Sequence, residues 1–343
     1  ASIGNYVWED LNKNGIQDFG EPGVNGVTVL LKNANGTILQ STVTATNAGT
    51  AGYYQFTNLA PGDYIVMFMT PSGYNETTPN TTTDTNDSDA DPTTGNSPVT
   101  NLVSGESDQT VDAGIYKPAT IGDYVWRDTD GDGIQDPTEI GINGITVLLK
   151  DATTLAVLQT TVTTTGGPLG SAGYYNFTVD PGTYVVMFMA PTGNTLSPTG
   201  NGTTTTDSDP NPTTGNSNPV TVTSGGSNQT IDAGLYQPAS LGNYVWEDLN
   251  KNGIQEAGEP GVNGVTVLLK NAGGIVLQST VTTTNAGTAG YYQFTNLAPG
   301  DYIVMFMTPT GYNETTPNTT ADTNDSDADP TTGNAPVTNL VSG

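Results

Sequence analysis

Apolar residues along this chain fall into short segments set apart by turn-forming ones. Over the first 116 residues seven segments carry a β pattern: Ile3–Trp8, Val27–Lys32, Ile38–Thr44, Tyr53–Phe56, Tyr64–Met69, Val99–Val103 and Thr110–Tyr116. Turn chemistry divides them at Asn35-Gly36, Ala60-Pro61-Gly62-Asp63, Pro71-Ser72-Gly73 and Thr94-Gly95-Asn96. In Tyr64–Met69 both faces are apolar, which predicts a central strand covered on both sides. No segment repeats its apolar residues every 3.6 positions, so no helix is predicted. About seven strands in about 118 residues predict an all-β, immunoglobulin-like sandwich, without the Cys–Trp–Cys pattern of antibody domains.

The pattern then recurs. "IGNYVWEDLNKNGIQDFGEPGVNGVTVLLK" begins at Ile3, "IGDYVWRDTDGDGIQDPTEIGINGITVLLK" at Ile121 and "LGNYVWEDLNKNGIQEAGEPGVNGVTVLLK" at Leu241. Trp8, Trp126 and Trp246 set the units 118 and 120 residues apart. Units of this length each hold a core of their own and follow one another as beads. The expected domains are 1–117, 118–237 and 238–343. The joints, Lys117-Pro118-Ala119 and Gln237-Pro238-Ala239, are short and hold a proline, which predicts a stiff rod. Copies one and three are nearly identical over long stretches, and copy two differs. Copy three stops at Leu340-Val341-Ser342-Gly343, which matches Leu102-Val103-Ser104-Gly105, so the counterpart of Thr110–Tyr116 is missing. The expectation is an open edge and a slot in the core, filled by a continuing chain or by a strand from a neighbouring molecule.

Composition narrows the chemistry. The 343 residues include no cysteine and no histidine, which excludes disulfides, thiolate zinc sites, Ser–His–Asp triads and histidine-bound metals. With 34 acidic residues against 7 basic ones the formal net charge is −27, which makes nucleic acid and anionic lipid poor partners. No apolar run approaches the roughly 20 residues of a membrane span, so no direct membrane insertion is expected. The sequence begins at Ala1 without a leader pattern and reads as a mature or excised piece of a longer protein.

The acids are clustered, and the clusters have spacing. After the first tryptophan, Asp10, Asn12, Asn14, Ile16, Asp18 and Glu21 take positions 1, 3, 5, 7, 9 and 12 of a loop with Gly15 at position 6. Copy two gives Asp128, Asp130, Asp132, Ile134, Asp136 and Glu139, and copy three Asp248, Asn250, Asn252, Ile254, Glu256 and Glu259. This is the EF-hand loop spacing, without the flanking helices. Calcium takes 6–8 oxygens at about 2.3–2.6 Å. Alternate residues of a tight loop turn inward, a backbone carbonyl serves at position 7, and the last carboxylate binds through both oxygens. The ligand count favours calcium over magnesium, and the lack of nitrogen and sulfur ligands disfavours zinc. One well-formed Ca2+ site per repeat is expected, with room for one or two more.

That further capacity lies in a second cluster late in each unit. It comprises Asp84, Asp87, Asp89 and Asp91 in copy one, Asp207, Asp209 and Asn211 in copy two, and Asp322, Asp325, Asp327 and Asp329 in copy three. Copy two has fewer charges here and is expected to bind more weakly. Asp112 and Asp232 on the last strand are at hand as further ligands, but read rather as polar positions on a strand face.

These motifs, with "GYYQFTNLAPGDYIVMF", "NDSD" and the closing "DAGIY", resemble the B domain of serine–aspartate-repeat (Sdr) surface adhesins, a family related to the collagen-adhesin B-type (CnaB) sandwiches. The resemblance covers nearly the whole chain, three times. It implies a calcium-binding β-sandwich and a stalk or spacer in a cell-surface adhesin or fibre. It passes ligand roles to Asp10, Asn12, Asn14, Asp18 and Glu21 and their copies, and to Asp87 and Asp89 and theirs. Glu256 departs from the aspartate at its position. Some CnaB-like domains carry a Lys–Asn crosslink, for which Lys32, Lys150 and Lys270 with Asn101 and Asn339 are the residues at hand, but the family's acidic catalyst has no match here.

Three functions then stand side by side. The first is an extracellular, calcium-stiffened structural rod, with calcium ions and neighbouring repeats as partners. The second is an adhesive module gripping a host protein or glycan, for which Tyr74 and Tyr312 are candidate aromatics. The third, a glycosidase with paired carboxylates, sits poorly with acids that are metal-spaced and repeated three times.

Overall fold

Alternation of buried and exposed side chains along each strand builds two facing sheets per repeat. The protein is described by a computed structural model that covers residues 1–79, 86–317 and 324–342. Among these residues there is no helix, and so none long and apolar enough to cross a membrane.

In repeat one the strands are β1 (Ser2–Glu9), β2 (Thr28–Asn33), β3 (Ile38–Val43), β4 (Ala45–Asn47), β5 (Thr50–Phe56), β6 (Gly62–Met69), β7 (Asn75–Glu76), β8 (Thr100–Leu102), β9 (Ser107–Asp108) and β10 (Ala113–Tyr116). One sheet runs β4-β5-β1-β10-β7, with β9 also on β1, and the other runs β3-β2-β6-β8. The seven expected strands are all present, and β4, β7 and β9 are additional short ones. The first and last long strands pair in parallel, Val7 opposite Ala113, Trp8 opposite Gly114 and Glu9 opposite Ile115. Ile3, Val7, Val29, Leu31, Phe56, Val66, Phe68, Leu102 and Ile115 fill the space between the sheets. Tyr54 stands edge-on to Phe68 at 5.5 Å, and its hydroxyl donates to the Val111 carbonyl at 2.6 Å, tying the last strand to the core.

The expectation for Tyr64–Met69 is half met. β6 is central, between β2 and β8. Only Tyr64, Val66 and Phe68 are buried, however, while Ile65 and Met67 are half-covered and Met69 is exposed. The outer face is only partly covered, so a run apolar on both faces does not here mean burial on both.

β7 contains an unexpected acid. Glu76 is buried, its Oε1 accepts from the Thr70 hydroxyl at 2.7 Å, and its Oε2 has no partner. Burial pushes its carboxyl up to about 7. Repeat two has the buried Leu196 at this place. A group with its folded pKa raised above 4.5 loses its contribution as pH rises through about 7. Glu76→Leu is therefore expected to stabilise repeat one by about 1–3 kcal/mol at alkaline pH and by less in acid, read as the pH dependence of its melting.

Repeat two reproduces both sheets, with six and four strands. Repeat three keeps the four-stranded sheet, but its other sheet has three strands, Ala239–Tyr244, Thr288–Leu297 and Thr283–Asn285. Where β10 stands in repeat one there is an open cavity of about 440 Å³, lined by Tyr244, Trp246, Tyr292 and Phe306 among others. Trp8 and Trp126 are fully buried, whereas Trp246 is only half-buried.

Side chains cross the first joint. Lys117 follows β10 and sets its Nζ 3.2 Å from Glu9 Oε2 and 4.6 Å from the centre of the Tyr74 ring. Glu9 Oε1 also accepts from the Ser224 hydroxyl of repeat two at 2.6 Å. Lys13 of repeat one pairs with Asp180 of repeat two, which also accepts from the Tyr116 hydroxyl at 3.0 Å.

Candidate metal centres

The loop after β1 is shaped by one buried carboxylate. Asp10 is fully buried. Its Oδ2 accepts from the Gly15 amide at 2.8 Å and the Thr77 hydroxyl at 2.7 Å, and its Oδ1 from the Asn12 amide at 3.2 Å. Its own amide donates to the Ile115 carbonyl at 2.8 Å, so the loop hangs from the last strand. Gly15 has φ +80°, a left-handed backbone that glycine adopts without strain and that turns the chain inward. At the far end Glu21 reaches back, Oε1 accepting from the Leu11 amide at 2.7 Å and Oε2 from the Asp18 amide at 3.0 Å. Positions 1, 3, 5, 9 and 12 thus converge: the Asn12 and Asn14 side-chain amides both donate to Asp18 Oδ2, at 2.8 and 2.9 Å.

Glycine also sets where the loop ends. A Cβ on Gly23 would lie 1.9 Å from the Ala51 carbonyl oxygen, and the same approach recurs at Gly141 (1.8 Å from Ala172) and Gly261 (1.9 Å from Ala289). Gly23 bridges to Trp8. This close return brings Glu21 back over the start of its own loop.

The other loops repeat the design. Asp128 is fully buried and accepts from the Gly133 and Gly131 amides at 2.9 and 2.6 Å. Glu139 accepts from the Thr129 and Asp136 amides at 2.6 and 3.1 Å, and Asp132 from the Ile134 amide at 2.7 Å. Carboxylate oxygens of Asp128, Asp130 and Glu139 all lie within 4.8 Å of one another. Burial raises the pKa of Asp130 and of Glu139, as it does that of Glu21. In repeat three Asp248 accepts from the Gly253 amide at 2.8 Å and the Thr315 hydroxyl at 2.7 Å, and Glu259 from the Leu249 and Glu256 amides, both at 2.9 Å. Glu256 is long enough to take the aspartate's part, its two oxygens accepting from Asn250 and Asn252 at 2.7 and 3.2 Å.

A short bridge brings the second cluster to the first. Ile16 pairs with Asp87, Ile134 with Asp207 and Ile254 with Asp325. Asp87, Asp207 and Asp325 are all buried. Oδ1 of Asp207 and of Asp325 has no hydrogen-bond partner. Asp89 Oδ2 accepts from the Asp112 amide at 2.7 Å, and Asp209 Oδ2 from the Asp232 amide at 2.6 Å. Asp327 holds the corresponding sequence position in repeat three. Asp91, Asn211 and Asp329 instead organise a turn, each accepting through Oδ1 from the amides two and three residues on. Asp84 and Asp322 lie outside the described residues.

Two further groups of residues matter here, one read from the sequence as polar strand positions and one not read at all. Asp112 is buried, accepts from the Tyr6 amide and the Asn5 side chain at 3.0 Å each, and faces the second cluster. Burial pushes its carboxyl up to about 8. In repeat two Asp123 replaces Asn5, and burial raises both it and Asp232, with the like charge of Asp123 raising Asp232 further. The recurring Asp-Ala-Gly at the close of each complete repeat was the available signal. Thr77 and Thr315, which bond the first ligand of loops one and three, had none.

Among the described residues the ion pairs are Lys13–Asp180 and Lys117–Glu9, both at the first joint, so no basic side chain neutralises these clusters. The donor set is all oxygen and anionic, and buried carboxylate oxygens stand without partners. It fits a hard divalent cation such as Ca2+. Lys32, Lys150 and Lys270 bond the Asn96, Asn216 and Asn334 side chains at 3.0, 3.1 and 3.0 Å. Asn101 and Asn339, the asparagines at hand for a crosslink, donate instead to Asp63 and Asp301.

A family model described as "SdrD B-like domain" matches the chain three times, over residues 1–115, 119–235 and 239–343. The chain is 45% identical over 332 residues to serine-aspartate repeat-containing protein D of Staphylococcus aureus (strain Newman), covering 96% of this chain and 23% of that protein. It is 42% identical over 332 residues to serine-aspartate repeat-containing protein F of Staphylococcus epidermidis, covering 96% and 18%. It thus spans less than a quarter of the length of either relative. Among solved structures, BcpA, the major pilin subunit of Bacillus cereus, aligns with 100% of this chain and 96% of its own, at 11% identity and a TM-score of 0.31.

Proposed function

Because the chain belongs to the family of SdrD B-like domains, we propose that it is a calcium-stiffened structural stretch of a surface stalk. It is an extracellular or cell-surface segment. The observation that carries the calcium reading is the convergence of Asp128, Asp130 and Glu139 oxygens within 4.8 Å, with no basic side chain among the described residues in an ion pair with them. Carboxylates so close repel one another unless protons or a cation intervene. In each repeat Asp10, Asp128 or Asp248 would hold the ion from the base of the loop and Glu21, Glu139 or Glu259 from its end. The buried Asp87, Asp207 and Asp325 would hold a second ion with Asp89, Asp209 and Asp327. The bound cation supplies charge neutralisation. The chain's own part is to fix loop, second cluster and last strand to one another. In repeat three the open slot would take a strand like Val111–Tyr116, from a continuing chain or a neighbouring copy.

The adhesive reading loses part of its motive, since Tyr74 packs against Lys117 at the joint.

Calcium titration by calorimetry, with metal content measured after dialysis, tests the reading. Bound calcium at or above one ion per repeat is expected. Asp10→Ala is expected to remove the loop site of repeat one and leave repeat three unchanged, since distant sites act independently. A chain that takes up no calcium at millimolar concentration would overturn it.

A further inference from the structure

The two joints are built differently, and the difference is written in the repeats. At the first, repeat one contributes Glu9, Lys13, Tyr74 and the following Lys117, and repeat two answers with Asp180 and Ser224. Backbone completes it, the Ser224 amide donating to the Leu11 carbonyl at 3.0 Å. At the second joint the positions of Glu9, Lys13, Tyr74 and Lys117 are held by Arg127, Gly131, Asn194 and Gln237, and that of Asp180 by Ala298. The backbone bond survives, from the Ser342 amide to the Thr129 carbonyl at 2.9 Å. No ion pair is found there among the described residues. In its place Gly131 meets the Pro299 ring, which a Cβ would approach to 2.9 Å. Lysine does not fit that contact, and Ala298 offers it no carboxylate.

Repeat three carries the repeat-one set again: Glu247, Lys251 and Tyr312 stand where Glu9, Lys13 and Tyr74 do. Lys251 has φ +63° and Lys13 φ +60°, so the two backbones present their lysines alike. At the first joint Glu9, Leu11 and Lys13 are half-buried, whereas Leu249 is 63% and Tyr312 45% exposed. Repeat one, on its leading side, has Ala60 and Ser104, the repeat-three pair Ala298 and Ser342.

We propose that the trailing face of repeat three, formed by Glu247, Leu249, Lys251 and Tyr312, is a docking surface for a repeat-two-type unit. Such a unit carries aspartate at the Asp180 position and serine at the Ser224 position. Charged and uncharged joints then alternate along the rod, and a repeat-one-type unit, with Ala60 in place of the aspartate, is refused at this face. The refusal is by omission: the lysine gains no partner while losing water. The proposal concerns the order of units and does not rest on calcium.

The absence of cysteine makes the test direct, since introduced cysteines take spin labels at chosen sites only. The full chain is extended after Gly343 by residues 106–237, which completes repeat three and adds a second repeat two. A control is extended by residues 106–118 followed by 1–117, which adds a second repeat one. Labels replace the exposed Ser41 and Thr160 across the first joint, and Ser279 and the new copy of Thr160, or of Ser41 in the control, across the new joint. In constant calcium, the new joint of the first chain is expected to give the same distance distribution as the first joint. Both are expected to widen about twofold between 0.05 and 1 M salt, where the Debye length falls to about 3 Å. Lys251→Asn, which keeps a residue tolerant of positive φ, is expected to widen the new joint without salt. In the control the distribution is expected to be wide and insensitive to salt. Equal distributions in the two extended chains, or no response of the first joint to salt, would overturn the proposal. The exchanged pair Lys13→Asp with Asp180→Lys guards against a merely structural effect: it is expected to narrow again what either change alone widens, and failure to do so counts against the proposal.

Discussion

Removing calcium with a chelator is expected to lower the melting temperature of the chain by about 10 °C or more and to reverse the slope of stability against pH. A site with a dissociation constant near 10 µM in millimolar calcium contributes roughly 2.7 kcal/mol, and two sites per repeat approach a large share of the usual 5–15 kcal/mol. The pH sign follows from the buried acids. Without metal, burial holds Asp112 up at about 8 and Asp209 at about 7, against an ordinary 3.8. Acids raised in the folded state contribute stability that is whole below about pH 4 and is lost as pH rises through those folded values. In chelator the melting temperature should therefore fall from about pH 5 to about pH 8. With calcium the ionised form is the one bound, the folded pKa values drop, and stability should be lost toward acid instead. Scanning calorimetry at several pH values, with and without calcium, reads both slopes. Asp112→Asn should flatten the chelator slope for repeat one. Equal melts in both conditions would remove the ion from the account.

Gly23→Ala is the second large effect, expected to destabilise repeat one by more than about 3 kcal/mol. The added methyl would sit 1.9 Å from the Ala51 carbonyl oxygen, which belongs to backbone and has no rotamer to escape into. Relief requires β5 to move away from the turn after Glu21. That movement also opens Glu21 from Leu11 and Asp18, so calcium affinity of the first loop should fall with stability. Gly26→Ala makes the control: a Cβ there meets nothing within 4 Å, and the cost is the positive φ of +87°, about 1 kcal/mol. Hydrogen exchange resolved by repeat measures both, and similar losses in the two variants would discount the close approach.

What the sequence disclosed follows the range of each interaction. The seven expected strands could be read because the apolar run around each is local, and the loop spacing because all six positions lie within twelve residues. β4, β7 and β9 are two or three residues long and exist through their partners, so no local pattern marks them. Thr77 touches Asp10 from 67 positions away, and Asp112 meets Tyr6 across 106. Asp91, Asn211 and Asp329 look like their neighbours in a row of acids, yet the backbone aims them into a turn. The joints were legible as short and proline-bearing. That Lys13 meets Asp180 and Glu9 meets Ser224 there depends on how two finished sandwiches abut, which no single repeat encodes.

The parallel pairing of β1 with β10 has a mechanical side. Traction on the two ends of repeat one pulls the start of β1 one way and the end of β10 the other, so the bonds registering Val7, Trp8 and Glu9 with Ala113, Gly114 and Ile115 are loaded in shear and must fail together. Asp10, the first residue beyond them, is itself bonded to Ile115, so the acidic loop sits at the end of the very seam that carries the tension.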